Sequence, residues 1–237
     1  MDTRRGFEVS KMSEQSEQSG LTFDEKKHEY KYGDRVLTSV TQWLGQFEEP
    51  FDVKAVSKQV AANYKRHNYI TPEEKPITPG AVRKYWDWVR EEGTRVHRQI
   101  EGLIKGEKLF PKPNLRARQA HEYIMKELAK YEDGHIEPEL RIHSLRFGLA
   151  GMLDCPVFFK GNKLHIYDWK CVENLTAKKL KKYTFQLSTY AYLMEYECNI
   201  TIDGLTLVQV LDEGSIPYEI EYKKEEVIAK LKESGKW

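Results

Sequence analysis

The chain has 237 residues, 40% hydrophobic and 32% charged, enough for one sizeable globular core and too apolar for a disordered or fibrous chain. With 38 Lys and Arg against 37 Asp and Glu the net charge is +1, so a polyanionic partner must be argued from local charge distribution, not from the total. No apolar run approaches the roughly 18 residues of a membrane span and no secretory core opens the sequence, so a soluble, cytoplasmic protein without a membrane partner is expected.

In chain order, residues 1–20 are rich in Ser, Glu, Gln and Lys without hydrophobic period and read as a mobile tail, in which Met12 is an alternative start. Alternation over 21–37, with turn residues at 24–27 and at Gly33-Asp34, predicts a hairpin. Ser39 then caps a short helix through Phe47, which Pro50 ends. A second helix is expected over 52–64 and a Pro-rich connection over 71–79. Thr78-Pro79 opens a long helix through Trp86, Val89, Val96 and Ile100 to about residue 105, and another helix follows over 113–131.

The period then changes from helical to alternating. Strands are predicted over 135–145, 151–159 and 163–170, the last two joined by Gly161-Asn162, which suits a tight turn. A helix over 176–197, a strand over 204–211 and a helix over 223–233 complete the chain. The expected fold is α/β: helix, three strands, helix, strand, in one mixed sheet flanked by helices. Residues 21–237 form one domain, with 21–132 a hairpin and largely helical part and 133–237 the sheet core.

The chemistry concentrates on two strands. Gly148-Leu149-Ala150-Gly151-Met152-Leu153-Asp154 is followed 14 residues later by Asp168-Trp169-Lys170. Asp168 and Lys170 at i and i+2 share a strand face, and Asp154 belongs to the preceding strand. Alone, an Asp-x-Lys pair reads as a solvated ion pair. Here the flanking Val157, Phe158, Phe159, Leu164, Ile166 and Tyr167 predict burial, and carboxylates are rarely buried without a partner or a metal. Carboxylate oxygens suit Mg²⁺ or Mn²⁺, and an adjacent lysine can orient water or stabilise charge developing on a phosphate.

This arrangement resembles the PD-(D/E)XK nuclease superfamily, in the branch of the RecB nuclease domain, lambda-type exonucleases and the mitochondrial genome maintenance exonuclease. Gly93-Thr94-Arg95-Val96-His97 matches that branch's Gly-Thr-x-x-His motif, Glu139 its acidic residue ahead of the Asp strand, and Gln186 with Tyr190 its Gln-x-x-x-Tyr motif. Leu37-Thr38-Ser39-Val40-Thr41 also looks like the opening of phage and mitochondrial relatives, whereas Leu153 stands where others have proline.

The resemblance implies a restriction-endonuclease-like core and a Mg²⁺- or Mn²⁺-dependent DNA exonuclease using one or two ions in replication, recombination or repair. A structure-specific endonuclease and a non-cleaving DNA-binding recombination scaffold are the alternatives. The partners implied are single-stranded DNA or duplex ends, with a single-strand-binding or recombination protein besides. His97, Asp154, Asp168 and Glu139 would be metal ligands with the Trp169 carbonyl; Lys170 would assist the nucleophile; Gln186 and Tyr190 would support the site or touch DNA. Some relatives carry an iron-sulfur cluster on four cysteines. The three here, Cys155, Cys171 and Cys198, are too few and misplaced for one, lack CxxC spacing for zinc, and are expected to be reduced.

Several residues keep two readings. Glu139, beside Pro138, is a ligand or an exposed strand-end charge. Tyr190, among Leu187, Leu193 and Met194, is a site residue or core. Lys178, Lys179, Lys181 and Lys182 are a solvated face or a phosphate-binding cluster. Arg83, Lys84, Arg90, Arg95 and Arg98, interleaved with Tyr85, Trp86 and Trp88, are a base-stacking surface or a helix with buried tryptophans. Strand alternation turns Cys155 and Cys171 away from Asp154 and Lys170, into the core.

Overall fold

The computed structural model describes residues 20–24, 27, 29–63 and 78–237. All but residue 20 of the tail expected over 1–20, and residues 71–77 of the connection expected over 71–79, lie outside the described residues. The first segment is a three-stranded antiparallel meander rather than one hairpin: β1 (Leu21–Asp24), β2 (Glu29–Tyr32) and β3 (Arg35–Ser39). Ser39 ends β3 and caps α1 (Val40–Gly45) in a reciprocal capping box, its Oγ accepting from Gln42 N and its own N–H donating to Gln42 Oε1. Asp52 caps α2 (Val53–Ala62). Thr78 caps α3 (Pro79–Ile104), where proline at the first position loses no helical hydrogen bond. Asn114 caps α4 (Leu115–Leu128).

The second half is more divided than its apolar pattern predicts. The strand expected over 135–145 is two, β4 (His135–Ile136) and β5 (Leu140–Ser144). The strand expected over 151–159 breaks at Asp154 into β6 (Leu149–Leu153) and β7 (Cys155–Phe159), which belong to different sheets. β8 (Lys163–Lys170) follows a turn in which Gly161 and Asn162 both have positive φ, +89° and +57°, as the Gly-Asn pair requires. Then come α5 (Ala177–Cys198), β9 (Thr201–Val210), an unpredicted β10 (Ser215–Glu219) and α6 (Lys224–Glu233).

In place of one mixed sheet there are two, each of five strands, ordered β1-β2-β3-β6-β5 and β10-β9-β8-β7-β4. The N-terminal segment is therefore not only a helical addition: β3 pairs in parallel with β6, so its meander supplies three strands of the first sheet. Both sheets mix parallel and antiparallel pairs, and the architecture is α/β.

Two apolar clusters set the faces of β8. Leu164 and Ile166 point into the larger, with α5, α1 and α6. Tyr167 and Trp169 point into the other, with Val96 and Ile100 of α3 and Ala117, Ala120 and Ile124 of α4. By the same alternation Asp168 and Lys170 belong to the α5 side and Cys171 to the α3 side. Among the described residues no helix is long and apolar enough to cross a membrane.

Candidate active site

The site lies where the chain leaves one sheet for the other. Asp154, between β6 and β7, is one step beyond the last β7–β8 pair, Cys155 with Tyr167, so it lies opposite Asp168. Without a strand residue to bond there, the Trp169 N–H donates to Asp154 Oδ2 at 2.9 Å. An extended residue directs its N–H and C=O to the same strand edge, so the Trp169 carbonyl lies on the Asp154 side while its indole is buried in the second cluster.

His97 comes from α3, past the uncovered end of β7, and its Nδ1 is 3.5 Å from Asp154 Oδ2. Glu139, immediately before β5, is a non-glycine residue at φ +57°, a conformation that costs about 1–3 kcal/mol and is held by a bond from Glu139 N to the Asp154 carbonyl. His97, Glu139 and Asp154 each offer a ligand atom, all within 4.8 Å of one another.

Asp168 is outside that compact group but borders it. It is 3% exposed, with Lys170 Nζ 2.5 Å from its Oδ2. The two form a close, nearly buried ion pair. The electrostatics follow from packing three carboxylates against one lysine and one imidazole. Burial, then the neighbouring Asp154, pushes Glu139 up to about 8. Burial outweighs Lys170 at Asp168 and lifts it to about 6. For Asp154 burial acts upward too, but His97, Lys170 and the Trp169 N–H together hold it below the usual carboxylate range. Burial opposes the charged forms of His97 and Lys170, yet the acids beside them hold both above their ordinary values.

A nitrogen and several carboxylate oxygens on a small, partly buried patch fit a divalent cation of the Mg²⁺ or Mn²⁺ type. Their mutual repulsion is what a cation would relieve.

On α5, Gln186 Nε2 donates to Tyr190 Oη at 3.3 Å. Tyr190 is both core and neighbour of the site: it is 5% exposed, packs in the larger cluster and has its phenol pushed up by burial and by the charge of Asp168. Its ring lies on Gly151, where an added Cβ would fall 2.4 Å from Tyr190 Cε1. Gly151→Ala must displace that ring and is expected to lower stability by about 1–3 kcal/mol, read as a shift in the urea midpoint at unchanged slope.

Of the cationic residues, Lys178, Lys179, Lys181 and Lys182 are exposed on the first turns of α5. Lys182 pairs with Glu48 at 2.9 Å and Lys179 Nζ donates to the Asn174 carbonyl. Arg95 is not brought to the site: it pairs with Glu92 on its own helix, roughly 160° around α3 from His97. Arg98 is exposed, about 100° from His97. Cys155 is buried core as expected. Cys171 departs from its expected place: it is only partly buried, and the face opposite Lys170 is the face toward α3, where its Cβ sits 3.9 Å from a Cβ built at Gly93 and its thiol adds to the rise of the His97 imidazole.

Two neighbours escape the motifs. Tyr183 places its ring 4.9 Å from Lys170 Nζ; its spacing of three and seven residues from Gln186 and Tyr190 would have revealed it. Tyr30 on β2 is pushed up to about 12 by burial, with Glu139 and Asp154 adding to the rise. It reaches the site through the non-local pairing of β3 with β6, which no local pattern signals.

No known family profile matches the sequence, and no curated protein matches it. Among solved structures, a candidate exonuclease from Eubacterium rectale is 11% identical with a TM-score of 0.35, over 81% of this chain and 68% of that one. A second protein, SSO0001, is 14% identical with a TM-score of 0.34, over 98% of this chain and 86% of that one. At such scores neither likeness carries an argument, and the reading of the site rests on the chain's own residues.

Proposed function

We propose that the chain is a metal-dependent deoxyribonuclease on a restriction-endonuclease-like core, hydrolysing phosphodiester bonds from DNA ends. The observation that supports this most is the convergence of His97, Glu139 and Asp154 within 4.8 Å, beside the buried Asp168–Lys170 pair. Held by these donors and the Trp169 carbonyl, Mg²⁺ or Mn²⁺ would supply a Lewis acid and lower the pKa of water at neutral pH.

The chain's own groups do the rest. Lys170 stays cationic because two carboxylates face it, and it offers that charge to a phosphate at the point where negative charge grows. Asp168 and the Tyr183 ring hold it in place. Trp169 N–H fixes Asp154, and Gln186 with Tyr190 backs the carboxylates from α5. The exposed lysines of α5 supply phosphate contacts along the strand. Action from an end follows from the likeness of the ordered motifs to exonucleases.

The test uses end-labelled linear DNA and closed circular DNA, each single- and double-stranded, with Mn²⁺, Mg²⁺ or EDTA. Loss of label from linear DNA with circles intact is expected, in metal only. Cut circles replace the exonuclease with an endonuclease, and intact DNA throughout overturns the reading.

A further inference from the structure

Beyond the acidic cluster, α3 carries a groove that the cleavage chemistry does not use. It is a shallow, open groove of about 550 Å³ lined by Phe51, Val53, Arg83, Trp86, Asp87 and Arg90. Arg83, Trp86 and Arg90 lie 14, 11 and 7 residues before His97. At about 100° per residue all three fall within roughly 40° of the His97 direction, Arg90 about 10 Å and Trp86 about 16 Å along the axis from it. The groove and the acidic cluster therefore lie along one stripe of one helix.

Its surfaces are aromatic and cationic, with one carboxylate, Asp87, paired to Arg90. Phe51 and Trp86 pack in a tilted contact, 5.9 Å between ring centres and 56° between planes, that leaves Phe51 64% exposed and Trp86 partly so. Arg83 is steadied by Ser57 Oγ at 3.0 Å. Arg90 pairs with Asp87 in an exposed contact that costs little to break.

We infer that this groove is a subsite for single-stranded DNA, in which a base a few nucleotides from the cleaved bond stacks on Trp86 and Phe51 while Arg83 and Arg90 hold the flanking phosphates. An unpaired strand presents base faces to such rings and a duplex does not. The inference rests on the proposed cleavage of DNA, which supplies the strand.

The test is fluorescence anisotropy of labelled oligo(dT) and of a blunt duplex, in EDTA, with the full chain. Trp86→Ala and Arg90→Glu each weaken oligo(dT) binding by roughly tenfold or more, as loss of one stacked base or phosphate contact requires. Trp86→Tyr recovers most of the loss, and duplex binding changes little. Trp88→Ala, half a turn away on α3, binds oligo(dT) as wild type does. Arg90 is exposed, so its variant keeps the test sound if Trp86→Ala misfolds. Wild-type oligo(dT) binding by Arg90→Glu and by folded Trp86→Ala, or an equal loss with duplex, overturns the subsite. Failure of metal-dependent cleavage by wild type would overturn the proposed function instead, since the anisotropy needs no cleavage.

Discussion

Lys170→Ala is expected to lower metal-dependent DNA cleavage by about a hundredfold or more, the scale seen when one preorganised charge is removed from a reacting centre. The effect on chemistry is larger than the effect on folding. Lys170 is the counter-ion of a nearly buried carboxylate, and removing one partner of a buried pair costs about 3–5 kcal/mol if the other stays charged. Asp168 escapes most of that cost because it is already lifted to about 6, and without Lys170 it rises further and is protonated near neutral pH. The melting temperature should therefore fall modestly at pH 7 and more at pH 9, where protonation is harder, while cleavage is lost at both. Retained cleavage with an unchanged melt would remove Lys170 from the mechanism.

Glu139→Gln should have the opposite effect on stability. A glutamate near 4.5 when unfolded and about 8 when folded takes up protons on folding across that window. Its contribution to stability is therefore most favourable below 4.5 and is lost as pH rises toward 8, by about 1.4 kcal/mol per pH unit at most. The glutamine variant carries no such charge. In EDTA it is expected to be more stable than wild type by a few kcal/mol at pH 8 and equal to it near pH 4.5, read from urea midpoints. Added Mn²⁺ should raise the wild-type midpoint and close the gap, because the cation offsets the repulsion among Glu139, Asp154 and Asp168. A gap independent of pH and metal would mean that Glu139 is an ordinary strand-end charge. Conflict at a metal-free site relieved by the bound cation is the usual trade between stability and function.

Much of the helical framework is legible from local chemistry. Ser39 and Thr78-Pro79 mark helix starts with the side-chain acceptors that helix ends need, and Gly161-Asn162 marks the β7–β8 turn. The face shared by Asp168 and Lys170 follows from strand alternation. What local chemistry hides is the change of sheet at Asp154: a mostly apolar run looks the same whether it pairs with one neighbour or passes between two. β10 was hidden by Pro217, which cannot donate to a ladder and reads as a loop, although at a sheet edge it is tolerated. Cys171 shows the limit of the alternation argument, which gives the face of a side chain but not what packs there. The proximity of Glu139 to His97 and Asp154 depends on a left-handed residue and a main-chain bond that no composition suggests.

The most direct test of the metal centre is the rate at which end-labelled linear DNA is degraded across a Mn²⁺ titration by wild type and by Asp154→Asn. Asparagine keeps the size of the side chain and an oxygen for the Trp169 N–H, but loses the charge that faces His97 and Lys170. The wild-type rate should rise and saturate with Mn²⁺ and vanish in EDTA, with Asp154→Asn inactive at every concentration. Degradation in EDTA, or equal rates for the two proteins, would contradict it.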